Sequence, residues 1–294
     1  MTNKEGRRLQ FMGRSDADAR FNIIPIAWES APSFGKGGKD GWKAVLEASV
    51  HLEDFDVELG ALPANEGIAT QDVLAVSSLA PKAAMLKIAS VARRAAEVSP
   101  GVFPLFLGGD HAITIGITDG FRDAGKCFDV VIFDAHADFR YSWQGSFVNH
   151  ACVARRCSAH HNVLVFGVRS ADSDELSLLQ KSKNARALPF RASKGLNSAY
   201  LEQFRAELKK LKREVYLSFD VDVLDPAVVR GTGTPEPGGL SWFEALNALR
   251  VVFEEKNVLG ADVVEFSPSL QVHGDAYFVA KLVYALCVLA SQKK

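Results

Sequence analysis

Val130-Val131-Ile132-Phe133-Asp134-Ala135-His136-Ala137-Asp138 decides the reading of this chain, because an apolar, β-branched run passes directly into three ionisable side chains spaced two apart. The run from Phe128 to Phe133 reads as a central strand, and the charged extension as its end. If the backbone stays extended, Asp134, His136 and Asp138 share one side and the small alanines face away. Without a cation, three such groups at the end of an apolar strand would repel one another or stay unsatisfied.

Two other runs end in the same way. Val102 to Leu107 leads into Gly108-Gly109-Asp110-His111, and Val215 to Phe219 leads into Asp220-Val221-Asp222. Read singly, Gly-Gly-Asp is ordinary turn chemistry, and Asp220 with Asp222 could be a turn and a helix cap before Pro226. Together the blocks set six candidate ligands, four carboxylates and two histidines, at strand ends. That set suits a pair of hard, six-coordinate divalent cations. Oxygen-rich coordination with one imidazole per metal points to Mn, Fe, Co or Ni, with Mn first, so the expectation is a site for two Mn2+ ions, other divalent transition metals being the alternatives. Two cations about 4 Å apart can share a hydroxide, whose proton is lost near neutral pH, and that hydroxide is the expected nucleophile.

Around these blocks, strand-like and helix-like segments alternate. Strands are expected at Asn22–Trp28, Asn162–Val168, Glu214–Phe219 and Val258–Phe266. Helices are expected at Gly41–Leu52, Ala80–Ala96, His111–Arg122, Asn149–Ser158, Asp172–Lys181, Ser198–Arg213 and Gly274–Ser291, and at Ser241–Glu255 with a capping box. Alternation of this kind implies a parallel sheet covered on both faces, with the site beyond the carboxyl ends of the strands. A chain of 294 residues, 48% hydrophobic, can build one substantial core, so residues 1–294 are read as a single domain with a flexible segment at 1–20.

Charge narrows the partners. With 34 basic and 35 acidic residues, the chain has no electrostatic footprint for nucleic acid or an anionic membrane, and a small-molecule partner is expected. The charged opening lacks the apolar stretch of a signal peptide, and Cys127, Cys152, Cys157 and Cys287 are scattered rather than spaced as a disulfide framework. A reducing cytoplasm is the expected location.

The three blocks, followed by Gly231-Thr232-Gly233-Thr234-Pro235-Glu236-Pro237-Gly238-Gly239, closely resemble the ureohydrolases, the family of arginase and agmatinase, from about Ile24 onward. Pro32-Ser33-Phe34-Gly35 and the helix after it look like the family's opening unit. The resemblance implies a three-layer α/β/α sandwich and a pair of Mn ions, with His111 and Asp138 on one metal, His136 and Asp222 on the other, and Asp134 and Asp220 bridging. It further implies that Glu265 pairs with a substrate guanidinium, that His150 shuttles protons to the leaving amine, and that Asp138 counts among the catalytic groups as well as the ligands. Glu265 alone would read as a strand-end acid and His150 as a helix-start residue. His51, His160, His161 and His273 match no ligand block and are expected on the surface or in packing. A homo-oligomer, trimer or hexamer, is implied by the resemblance alone.

The expected reaction is hydrolysis of a guanidino C–N bond, giving urea and a primary amine. The loop Phe139 to Ser146 lacks the Ser-Gly-Asn element with which arginases hold an α-carboxylate, which disfavours arginine. Agmatine, yielding putrescine, comes first. Arg140, with no acid in its loop, keeps open a guanidino acid, as in guanidinobutyrase- or guanidinopropionase-type enzymes. A formimino-group hydrolase and a metal-free, non-catalytic homologue are the remaining alternatives. Gly35-Lys36-Gly37-Gly38-Lys39 lacks phosphate-loop spacing and is read as a flexible turn, with lining of the entrance as a further option.

Overall fold

A computed structural model describes residues 8–30, 33–98, 101–268 and 273–293. Its centre is one sheet built from β1 (Phe21–Ala27), β2 (Ile68–Thr70), β3 (Leu74–Ala75), β4 (Phe103–Leu107), β5 (Asp129–Phe133), β6 (Val163–Val168), β7 (Ala185–Pro189), β8 (Glu214–Asp220) and β9 (Asn257–Val264). The order is β2-β1-β4-β9-β8-β5-β6-β7, with β3 continuing beside β1, and every pairing is parallel.

Strands buried on both faces need apolar side chains on both, and these strands have them. Leu105, Val131, Leu217 and Ala261 enter one core, while Phe106, Val130, Tyr216 and Val264 enter the other. Helices α1 (Gly41–Ser49), α6 (Ser198–Lys209), α7 (Trp242–Glu255) and α8 (His273–Ser291) close the first core. Helices α2 (Pro81–Glu97), α3 (Ile113–Asp123), α4 (Val153–Cys157) and α5 (Ser173–Lys181) close the second. The architecture is therefore the expected three-layer α/β/α sandwich. Residues 274–291 are long and apolar enough to cross a membrane, but two thirds of that stretch is buried, as in a core helix.

Several expectations about local structure need correction. The Asp134–Asp138 segment does not continue as a strand: β5 ends at Phe133, and Asp138 takes a left-handed backbone, φ 48°. Asp222 lies in a 3₁₀ turn, Val221–Val223, so Asp220 and Asp222 do not share one extended face either. The Asn149–Ser158 helix opens as a 3₁₀ turn, His150–Cys152, with Asn149 Oδ1 accepting from the Ala151 N–H, before α4 begins. The capping box at Ser241 and Glu244 is present as read. Within the segment expected to be flexible, Phe11 is fully buried and its N–H donates to Thr70 Oγ1.

His161 packs rather than ligates. Its ring stacks on Phe128 at 4.3 Å and its Nδ1 lies 2.9 Å from the Phe128 carbonyl oxygen, at the start of β5. Burial, which disfavours the charged ring, lowers its pKa. A histidine held below its unfolded value of about 6.5 costs stability as pH falls through that value, because the unfolded chain takes up the proton first. Urea denaturation at pH 7.5 and 5.5 should show a smaller acid loss in His161→Phe than in the wild type; an equal loss would remove His161 as a source of acid sensitivity.

Candidate metal centre and active-site cavity

The carboxyl ends of four adjacent strands, β4, β9, β8 and β5, carry the site. His111 follows β4, Glu265 follows β9, Asp220 ends β8, and Asp134 follows β5. The Gly108-Gly109 turn matters sterically: a Cβ on Gly109 would stand 2.1 Å from the Trp28 carbonyl oxygen, so only glycine lets this loop close against the end of β1.

Backbone N–H groups aim the carboxylates. Asp134 Oδ1 accepts from His136 N at 2.6 Å, Asp220 Oδ1 from Asp222 N at 2.8 Å, and Asp222 Oδ1 from Ala135 N at 3.0 Å. Their Oδ2 atoms turn inward. His111 Nδ1 stands 3.2 Å from Asp134 Oδ2, 3.2 Å from Asp138 Oδ2 and 3.3 Å from Asp220 Oδ2, and His136 Nδ1 stands 2.9 Å from Asp222 Oδ2. All six sequence-predicted ligands thus converge. Two groups have the proximity to hold an ion, His111 with Asp134 and Asp138, and Asp134 with His136 and Asp222, so Asp134 is shared between them.

The donors fit a metal on chemical grounds as well. His111 Nδ1 and Asp134 Oδ2 are buried without a hydrogen-bond partner although they face each other. Orphaned buried atoms of this kind are costly unless a cation takes their lone pairs. Without one, the cluster compensates by holding protons. Burial opposes a charged His111, but Asp134, Asp138 and Asp220 outweigh it and raise its pKa well above 6.5. Burial likewise opposes a charged His136, yet Asp222 and Asp134 lift it to about 12. Burial and the Asp134 charge push Asp138 up to about 7, and burial with the charges of Asp222 and Asp134 raises Asp220 well above the usual carboxylate range.

A cavity of about 160 Å³ opens above the cluster. Glu265 lines it, again with a left-handed backbone, φ 64°, and is tied to the β4 loop by its N–H donating to the Gly109 carbonyl and its Oε1 accepting from His111 N. Two strained non-glycine residues, Asp138 and Glu265, therefore sit within one site, a common mark of function. Burial and the neighbouring Asp110 push the Glu265 carboxyl up to about 8. His150 also lines the cavity, with Nε2 2.8 Å from Ser33 Oγ and Nδ1 3.9 Å from Asp110 Oδ2. Burial opposes its charge, but Asp110 and Glu265 raise it to about 9.

Sequence reading passed over several acids here. Asp110 accepts from Ala112 N and Ser30 N and faces His150. Glu29 holds the loop read as a flexible turn, accepting from the N–H groups of Gly37 and Gly38, and Gly35 and Gly38 of that loop line the cavity. Glu175 completes the α5 capping box with Asp172 and also accepts from Phe139 N, one residue past Asp138. Arg140 is not free: Nη1 pairs with Asp172 Oδ2 at 2.8 Å, and its guanidinium stacks over Trp143. The Asx-type caps were detectable in sequence; Asp110 and Glu29 carried no local signal. Of the other histidines, His51 and His160 are exposed. The side chain of His273 lies outside the described residues.

Loading the site requires neutral imidazoles and charged carboxylates, so binding and proton release are linked, and affinity falls as pH is lowered. Calorimetric titration with Mn2+ at pH 7, in buffers of different ionisation enthalpy, should show more than two protons released per chain, one from each imidazole and the rest from the carboxyls of Asp220 and Asp138. Uptake of metal with no proton release would contradict this description of the cluster.

The profile of the arginase family matches residues 19–288. An N(1)-aminopropylagmatine ureohydrolase of Synechocystis sp. is 37% identical over 92% of this chain and 89% of its own length. An agmatinase of Pyrococcus horikoshii is 32% identical over 91% of this chain and 90% of its own. Among solved structures, the agmatine ureohydrolase of Thermoplasma volcanium superposes with a TM-score of 0.84 at 25% identity, covering 97% of this chain and 94% of that one.

Proposed function

Because the chain belongs to the arginase family, we propose that it is a binuclear-manganese amidinohydrolase that cleaves a guanidino C–N bond and releases urea and a primary amine. His111 and Asp138 would hold one ion, His136 and Asp222 the other, and Asp134 and Asp220 both. Ions bound there would lower the pKa of water, making hydroxide available for hydrolysis at neutral pH. Glu265 binds the guanidinium, whose planar fork matches a carboxylate, and fixes its carbon above the cluster. His150, charged near neutral pH, donates its proton to the nitrogen of the departing amine. The supporting observation is the position of Glu265, held by Gly109 and His111 in the same cavity that His136, Asp138, Asp220 and Asp222 line.

The cavity wall favours a substrate with a second positive charge. Glu29, Asp110, Asp172 and Glu175 line it beyond the ligand set, with Glu236 3.8 Å from His136. Among the described residues, Arg140 is the one Lys or Arg in that lining and already has Asp172 as its partner, so they offer a carboxylate tail no unpaired Lys or Arg. An amine tail suits it, as in agmatine or its longer aminopropyl derivative, and agmatine would yield putrescine. The enzyme is read as cytoplasmic and homo-oligomeric, trimer or hexamer, by its likeness to the family.

Urea release by manganese-loaded protein against agmatine, N1-aminopropylagmatine, arginine and 4-guanidinobutyrate tests this reading. An amine-tailed substrate should be preferred. Glu265→Gln should lower kcat/KM by roughly 100-fold, the scale of losing one partner of a buried charge pair. A preference for 4-guanidinobutyrate would overturn the tail assignment, and no urea from any of the four would overturn the guanidine reading.

A further inference from the structure

Asp262 is a carboxylate in the middle of β9, fully buried, and no Lys or Arg among the described residues pairs with it. Burying such a group costs stability, which an apolar residue at the centre of the sheet would avoid. Its surroundings show where it acts. Ser218 Oγ donates to Asp262 Oδ1 at 2.6 Å, and Thr114 Oγ1 and Tyr216 OH donate to Oδ2 at 2.9 and 3.0 Å. Ser218 Oγ also lies 3.0 Å from His111 Nε2. Each of these side chains is fully buried.

The direction of the hydrogen bonds follows from this arrangement. The oxygens of Asp262 accept and the three hydroxyls around them donate. Ser218, its hydrogen committed to Asp262, turns a lone pair toward His111 and can only receive a hydrogen from Nε2. A ring with its hydrogen on Nε2 presents a bare Nδ1, and Nδ1 is the atom 3.2–3.3 Å from Asp134, Asp138 and Asp220. We propose that Asp262 is a positioning residue: acting through Ser218, it fixes the orientation and tautomer of His111 so that Nδ1 is offered to the metal. The inference rests on the metal-centre reading above and adds residues that reach no ion themselves. In Asp262→Asn the amide can donate as well as accept, so Ser218 is no longer forced to receive from His111. In Ser218→Ala the link is removed with Asp262 in place.

The test is Mn2+ binding to the full chain, followed by electron paramagnetic resonance of the free ion, in the wild type, Asp262→Asn, Ser218→Ala, His111→Asn and the double variant His111→Asn/Asp262→Asn. The wild type should bind two ions. Asp262→Asn and Ser218→Ala should each weaken one of them by about tenfold or more and leave the other near its wild-type affinity. In the His111→Asn background, Asp262→Asn should cause no further loss, because its effect passes through that ring. A further loss there, equal weakening of both ions, or wild-type affinity in both single variants would overturn the proposal. Ser218→Ala supplies the same reading if Asp262→Asn does not fold. A wild type that binds no Mn2+ would overturn the metal centre itself, an outcome distinct from the others.

Discussion

Four carboxylates, at Asp134, Asp138, Asp220 and Asp222, are each at most 6% exposed and meet within one small volume, and everything nearby answers to their repulsion. Two imidazoles interleave with them, backbone N–H groups take one oxygen from three of them, and the remaining oxygens are left to a positive charge. The parallel sheet makes this crowding possible. Parallel strands bring all their carboxyl ends to one edge, so residues 154 positions apart, His111 and Glu265, become hydrogen-bonded neighbours.

The fold was legible wherever burial was complete. The strands β4, β5, β6, β8 and β9 run through the middle of the sheet with nearly unbroken apolar sequence, and the reading located each of them. β2, β3 and β7 were missed for a physical reason: they lie toward the edges, are two to five residues long, and carry polar or proline positions such as Arg186 and Pro189. Turn geometry was the other gap. Alternating spacing suggested extended backbones for Asp134–Asp138 and Asp220–Asp222, yet the ligands converge through a left-handed Asp138 and a 3₁₀ turn, which residue spacing alone does not encode.

At the candidate site, the residues that the structure brings together lie inside motifs, and the residues that hold them do not. Asp172, which neutralises Arg140, follows a different strand, β6, so a view of the Arg140 loop alone saw an unpaired cation. Asp110 was quoted but left without a role, because its partners Ser30 and His150 come from loops 80 and 40 residues away. Asp262 did carry a signal. A carboxylate in an apolar run that reads as a buried strand is a conflict between local composition and burial, and such conflicts tend to mark function.

The position of β9 has a consequence for how the chain comes to be folded. It is the last described strand in sequence, yet it sits between β4 and β8 and separates the two halves of the sheet. As the polypeptide leaves the ribosome, β4 and β8 have no mutual pairing to form, and each exposes an apolar edge until residues 257–264 emerge. The sheet is thus completed at its middle, by a late insertion that joins long-separated segments, a kind of pairing that is intrinsically slow. Glu265 arrives with that insertion, immediately after β9. The Glu265 carboxylate, which lines the cavity, therefore takes its place only when the sheet itself is closed, and a nascent chain has no route to a partly built cavity with its full set of groups.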